Sequence, residues 1–137
     1  MNPPSFFAAS LQVALGGALG AWLRYGAGLA ISRSLGPATQ FPWATLGVNV
    51  LGSLAMGLLA GWLARQGGDG GSGGESWRLL LGFGLLGGFT TFSTFSLELA
   101  VMVQRGALGM AFAYAAISVL AGVAALFAGL ALLRVAA

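Results

Sequence analysis

The sequence contains neither cysteine nor histidine. Their absence excludes disulfides, thiolate chemistry, haem ligation and the usual zinc, copper and iron sites. It also removes the commonest general base near neutral pH. Lysine is missing too, so all six basic residues are arginines, set against three acids, Asp69, Glu75 and Glu98. Charged residues make up only 7% of the 137 positions, where a soluble domain carries roughly a quarter. The arginines are scattered and form no basic patch, so a nucleic-acid partner is not expected. The N-terminal "MNPPSFFAAS" has no basic n-region, which predicts no cleaved signal peptide.

Hydrocarbon fills the place of charge. The chain is 58% hydrophobic with a mean hydropathy of +0.90, a balance that fits a polytopic membrane protein with the lipid bilayer as its solvent. A membrane span needs about 20 mostly apolar residues, and four stretches qualify, at about 6–31, 43–63, 77–103 and 107–133. The expected fold is all-α, a single four-span membrane domain covering 1–137. Its separators agree. "SRSLGPATQFP" carries Gly36, Pro37 and Pro42, which stop one helix and set up the next. A glycine-rich stretch at 66–76 reads as a flexible solvated linker, and "QRG" at 104–106 as a tight hairpin. Trp43, Trp62 and Trp77 fall at span ends, where an indole anchors at the interface.

Several of the 24 glycines lie four apart: Gly16 and Gly20, Gly57 and Gly61, Gly84 and Gly88. That spacing lets helix backbones approach closely in lipid, within one bundle or against a second copy. Charge leaves the orientation open. Arg65, Arg78 and Arg134 belong to one side and Arg33 and Arg105 to the other, almost no bias for a rule that follows arginine and lysine asymmetry. The chain is therefore expected to insert both ways up, with an inverted copy of itself as partner. Four helices fill their own core, so a transport route is expected to need more than one chain.

Polar residues inside the spans carry the functional signal. Arg24, late in the first span, either snorkels as an anchor or faces a watery vestibule where its charge concentrates anions. Glu98, deep in the third span, is either a proton or cation site or a hydrogen-bonded structural group. Thr45 and Asn49 are one turn apart in the second span, and Tyr114 and Ser118 one turn apart in the fourth. Together with the third span they suggest a continuous polar path. In "GGFTTFSTFS", residues 87–96, Gly87 and Gly88 weaken the helix while Thr90, Thr91, Ser93 and Thr94 can satisfy freed backbone groups. Irregular backbone at membrane depth is tolerated only where protein or a cavity covers it, and a broken helix there offers carbonyls to a cation and amides to an anion. Phe92 and Phe95 share a face. They read as core packing or as phenyl edges, whose positive rim could meet a small hard anion beside hydroxyl donors.

"GGALGAWLRY", "TLGVNVLGS" and above all "GGFTTFSTFSLE" resemble the motifs of the Fluc (CrcB) family of fluoride channels, over essentially the whole chain. The resemblance implies a dual-topology, antiparallel homodimer in the bacterial plasma (inner) membrane, with two pores that passively export fluoride and a structural sodium ion at the dimer centre. By the same likeness, Phe92 and Phe95 match the paired pore phenylalanines, and Asn49 the pore asparagine beside Thr45. Ser93, Thr94, Glu98, Tyr114 and Ser118 resemble the polar track, Arg24 the vestibule arginine, and the carbonyls of Gly87 and Thr90 the sodium ligands. One departure is Gly122, a turn beyond Ser118, where the family pattern leads one to expect another hydroxyl. A small multidrug-type exporter is the next reading, but such exporters place their coupling glutamate in the first span, which here has no acid. A non-transporting scaffold accounts for the glycines but not for the polar stripes. An enzyme is not expected, since no base, thiol or metal cluster accompanies the hydroxyls.

Overall fold

The computed structural model describes residues 4–36, 40–65 and 72–135. They are helical throughout their length except at short connections, and four of the helical runs are long and apolar enough to cross a membrane. The described residues are thus all-helical outside those connections, and the chain is an integral membrane protein. Helix α1 (Phe6–Leu35) begins at Ser5, whose Oγ accepts from the Ala8 N–H at 3.3 Å, and ends at Gly36 with φ 75°. At 30 residues it is about 45 Å long and overshoots a hydrocarbon core of about 30 Å. Helix α2 (Trp43–Arg65) follows.

The third span, Gly74–Gln104, is bent and joined from several pieces. Helix α3 (Ser72–Trp77) leads into a π-helical stretch, Arg78–Leu86, then α4 (Gly87–Phe89) and, after Thr90 and Thr91, α5 (Phe92–Gln104). Both intervening residues are extended, Thr90 at φ −81°, ψ 159° and Thr91 at φ −149°, ψ 117°. A tight turn through Gly106, at φ 75°, returns the chain into α6 (Leu108–Val135).

Two of the sequence expectations need correction here. The linker was expected to stay unstructured to position 76, yet Ser72–Trp77 is helical and Arg78 pairs with Glu75 at 3.0 Å; positions 66–71 lie outside the described residues. Secondly, Gly87 and Gly88 do not form the irregular step. Both remain helical, and the backbone extends only at the two threonines that follow.

Glycine decides how the helices pair. A Cβ on Gly16 would run into the Leu80 carbonyl, one on Gly20 into the Leu85 carbonyl, and one on Gly88 into Gly17, so α1 and the first half of the third span touch backbone to backbone. In the same way a Cβ on Gly57 would strike the Leu126 carbonyl and one on Gly129 the Leu54 carbonyl, locking α2 to α6. The glycines spaced four apart therefore serve packing inside one chain, the first of their two readings. Gly88 is committed to α1, whereas Gly87 is exposed.

The buried apolar cluster is small, formed by Leu46, Phe95, Met102, Ala111 and Tyr114. Large apolar side chains such as Phe6, Leu51, Phe83, Phe112 and Leu120 point outward, as expected where the solvent is lipid. Trp62 and Trp77 meet edge to face, 6.1 Å between centroids, where α2 ends and the third span begins. Trp43 packs on Phe41 at 4.5 Å where α2 starts.

Candidate functional site

The site is organised by the extended step at Thr90 and Thr91. Two consecutive non-helical residues strand backbone groups that no water can reach at membrane depth. The chain satisfies them with side chains. Asn49 of α2 turns its amide onto the step: Thr91 N–H donates to Asn49 Oδ1 at 2.8 Å, and Asn49 Nδ2 donates to the Thr91 carbonyl at 3.0 Å. Thr91 Oγ1 caps the new helix by accepting from Thr94 N–H at 3.2 Å, and it also meets the hydroxyls of Thr94 at 3.0 Å and Ser93 at 3.3 Å. Thr90 bonds back onto the preceding turn, its N–H and its hydroxyl both donating to the Leu86 carbonyl at 3.0 Å.

A second cluster forms one turn further along α5. Glu98 receives a hydroxyl proton at each carboxylate oxygen, from Thr45 at Oε1 and from Tyr114 at Oε2, both at 2.7 Å. Both bonds are at the usual length for hydroxyl donors. Thr45 and Tyr114 belong to α2 and α6, so the carboxylate ties together three spans. Tyr114 is fully buried at 0% exposure, with its ring 5.1 Å from Phe95 and 5.4 Å from Phe41.

Between α2, the step and α6 lies a cavity of about 320 Å³, lined among others by Asn49, Ser53, Thr91, Phe92, Phe95 and Ser118. The two phenyl rings are 5.6 Å apart and tilted by 42°, and they divide the roles. Phe95 is 9% exposed and packs into the core, while Phe92 is 79% exposed and faces away from it. Ser118 Oγ is buried without a hydrogen-bond partner. Asn49 keeps a second amide proton that no described residue takes. Thr91 also lines a second cavity of about 350 Å³, together with Arg24, Tyr25, Thr45 and Thr94 among others. Arg24 forms no ion pair among the described residues.

The structure thus brings Asn49, Thr90, Phe92, Phe95 and Ser118 onto one cavity. It gathers Ser93 and Thr94 onto Thr91 and joins Thr45 and Tyr114 at Glu98. Arg24 stands apart on the second cavity. Gly87 lies just before the step without lining either cavity. The hub, Thr91, was readable as an N-cap threonine with a hydroxyl residue three positions on, but it was singled out only as one hydroxyl among several. Ser53 escaped notice, although it stands one turn from Asn49 on the same face. Gln12 in α1 also escaped notice; its Oε1 is buried without a partner, and it lines neither cavity. Among the described residues no group of three histidines, cysteines or acids stands where it could hold a metal ion.

Chemically this is a largely apolar groove without fixed charge on its lining, carrying the Asn49 amide and the Ser53 and Ser118 hydroxyls, with the Arg24 guanidinium at the neighbouring cavity. It can hold a small anion by hydrogen bonds without trapping it by charge.

Residues 11–130 match the family described as CrcB-like protein, Camphor Resistance (CrcB). A fluoride-specific ion channel of Novosphingobium aromaticivorans is 58% identical over 126 residues, covering 92% of this chain and 96% of the relative. The protein of the same name in Phenylobacterium zucineum is 56% identical over 126 residues, 92% of this chain and 95% of the relative. That of Erythrobacter litoralis is 53% identical over 136 residues, 96% of this chain and 95% of the relative.

Proposed function

This chain belongs to the CrcB-like family, and from that membership we infer that it is a fluoride-specific ion channel rather than an enzyme. It lets fluoride leave the cytoplasm passively. Hydrogen fluoride crosses bilayers as a neutral acid and dissociates inside, so a path for the anion alone lowers the internal concentration. The observation that carries the reading is the groove built on Thr91. It presents an amide and several hydroxyls at membrane depth, flanked by Phe92 and Phe95, with no fixed charge on its lining. Fluoride gives up a strong hydration shell on entering, and only a series of closely placed donors can replace it.

In this proposal Asn49, Thr45, Ser93, Thr94, Tyr114 and Ser118 supply or position donors along the path, and Phe92 and Phe95 contact the ion by their ring edges. Glu98 orients the hydroxyls of Thr45 and Tyr114. Arg24 raises the local anion concentration at the vestibule.

We further propose that the working unit is an antiparallel homodimer of a single four-span domain, inserted both ways up in the bacterial inner membrane. The exposure of Phe92, a large apolar ring beside a polar cavity, supports it, because a second copy would complete the wall. The extended step at Thr90 and Thr91 would lie near the two-fold axis. There the carbonyls of Gly87 and Thr90 from both copies are proposed to hold one structural sodium ion, whose charge offsets repulsion between the two anion paths. Gly87 is exposed and free to face a partner, unlike Gly88. The deciding experiment is fluoride efflux from liposomes holding the purified protein, compared with chloride. Rapid fluoride loss with chloride retained is the expected result, and absence of fluoride efflux overturns the reading.

A further inference from the structure

A hydroxyl inside an apolar helix ordinarily returns its proton to the carbonyl one turn back. Ser34 and Ser96 do so, donating to Ala30 and Phe92 carbonyls at 2.9 Å, and Thr90 donates to Leu86 at 3.0 Å. Ser53 and Ser118 differ. Ser118 Oγ has no partner, and no described residue bonds the Ser53 hydroxyl. Both line the same cavity as Asn49, Phe92 and Phe95.

Position matters as much as availability. Ser53 lies one turn beyond Asn49 on α2, as Gly122 lies one turn beyond Ser118 on α6. The two turns face each other: a carbon added at Gly122 would stand 3.5 Å from Ser53 Oγ, in ordinary contact. The space that a hydroxyl side chain at 122 would fill is therefore the space the Ser53 hydroxyl already looks into. Since α6 has no donor at that level, any ion moving along the cavity past Ser118 meets its next hydroxyl on α2.

We propose that Ser53 is an ion-contacting donor of the fluoride path, supplying from α2 the hydroxyl that α6 lacks at Gly122. The inference rests on the fluoride-conduction reading above. It makes the donor series cross from one helix to the other instead of running along α6 alone. Loss of one hydrogen bond to a bare anion weakens the site by about tenfold or more, and flux should fall accordingly.

The test uses the full chain reconstituted in liposomes, with fluoride efflux read by electrode and assembly by size-exclusion elution. The unaltered protein is measured first; if it fails to conduct fluoride, the functional reading itself fails. Given a conducting parent, Ser53→Ala should lower efflux about tenfold. Moving the hydroxyl across, as Ser53→Ala with Gly122→Ser, should restore it, whereas Ser53→Ala with Gly122→Ala adds the carbon without the donor and should not. Ser53→Thr and Ser53→Val have the same shape and differ only by the hydroxyl, so they decide the matter even where alanine disturbs assembly: threonine should conduct and valine should not. Equal efflux from the threonine and valine variants, or rescue by Gly122→Ala as complete as by Gly122→Ser, overturns the proposal.

Discussion

Asn49 and Thr91 exchange two hydrogen bonds across helices, at 3.0 and 2.8 Å. The primary amide reads an extended backbone as a neighbouring strand would, donating to its carbonyl and accepting from its N–H. No other side chain of that length offers one donor and one acceptor in fixed opposition except as a proton-dependent acid.

Asn49→Asp should therefore suppress fluoride efflux and lower thermal stability together. The second carboxylate oxygen would face the Thr91 carbonyl, two acceptors in contact, at a cost of about 1–3 kcal/mol. Thermal unfolding in detergent alongside liposome efflux checks this, and unchanged values in both would remove Asn49 from its place at the step.

Phe92→Ile and Phe95→Ile should both cut efflux sharply but part company on stability. Phe95 is embedded against Tyr114, so its loss should also cost about 1–3 kcal/mol of fold stability. Phe92 faces outward, and its replacement should leave the unfolding midpoint of the single chain's fold nearly unchanged. Trp43→Phe, at the interface, should leave efflux at the parent level.

Glu98→Gln and Glu98→Ala should rank differently. Glutamine can still accept from one hydroxyl and donate to the other, while alanine orphans the hydroxyls of both Thr45 and Tyr114, at about 1–3 kcal/mol for each buried group. A double-mutant cycle between Thr45→Val and Tyr114→Phe should be non-additive by about 0.5 kcal/mol or more, because both act on one carboxylate. Strict additivity would dissolve the cluster as a unit.

Orientation should respond to charge. Two or three lysines added after Ala137 should bias insertion to one side and abolish efflux when that variant is expressed alone, with recovery on co-expression with a copy biased the other way. Label accessibility at the glycine-rich segment reports orientation, and a uniform result for the unaltered chain would sink the inverted pairing.

Replacing sodium by a large organic cation through purification and assay should weaken the dimer or its efflux. Carbonyl oxygens suit a small monovalent cation and cannot wrap a large one. Indifference to the exchange would leave the central carbonyls without an ion to hold.

The spans were legible in composition: apolar length in all four, proline and glycine between the first two, glycine between the others, and tryptophan at both ends of α2 and at the start of the third span. The location of the irregular step was only half legible. Glycine propensity pointed to Gly87 and Gly88, but Gly88 is held helical by contact with Gly17, and the backbone departs where Asn49 can receive it, 42 residues away in sequence. Nothing local encodes such a bond. The same holds for Glu98, since spacing within α2 or α6 says which residues share a face but not that Thr45 and Tyr114 turn those faces to one carboxylate. Phe92 and Phe95 looked equivalent as neighbours on one face. Their three-residue offset is a rotation of about 60° from perfect alignment, enough to place one ring in the core and the other outside it.

The bond between Asn49 and Thr91 also has a direction in time. A chain made from its N-terminus delivers α2 to the bilayer before the third span is complete. The amide is then already waiting when two unsatisfied peptide groups arrive beside it. Thr91 can enter hydrocarbon as an extended residue because its partner was synthesised first. Reversing the order of these two segments by circular permutation would ask the ribosome to present the step to lipid with nothing to receive it.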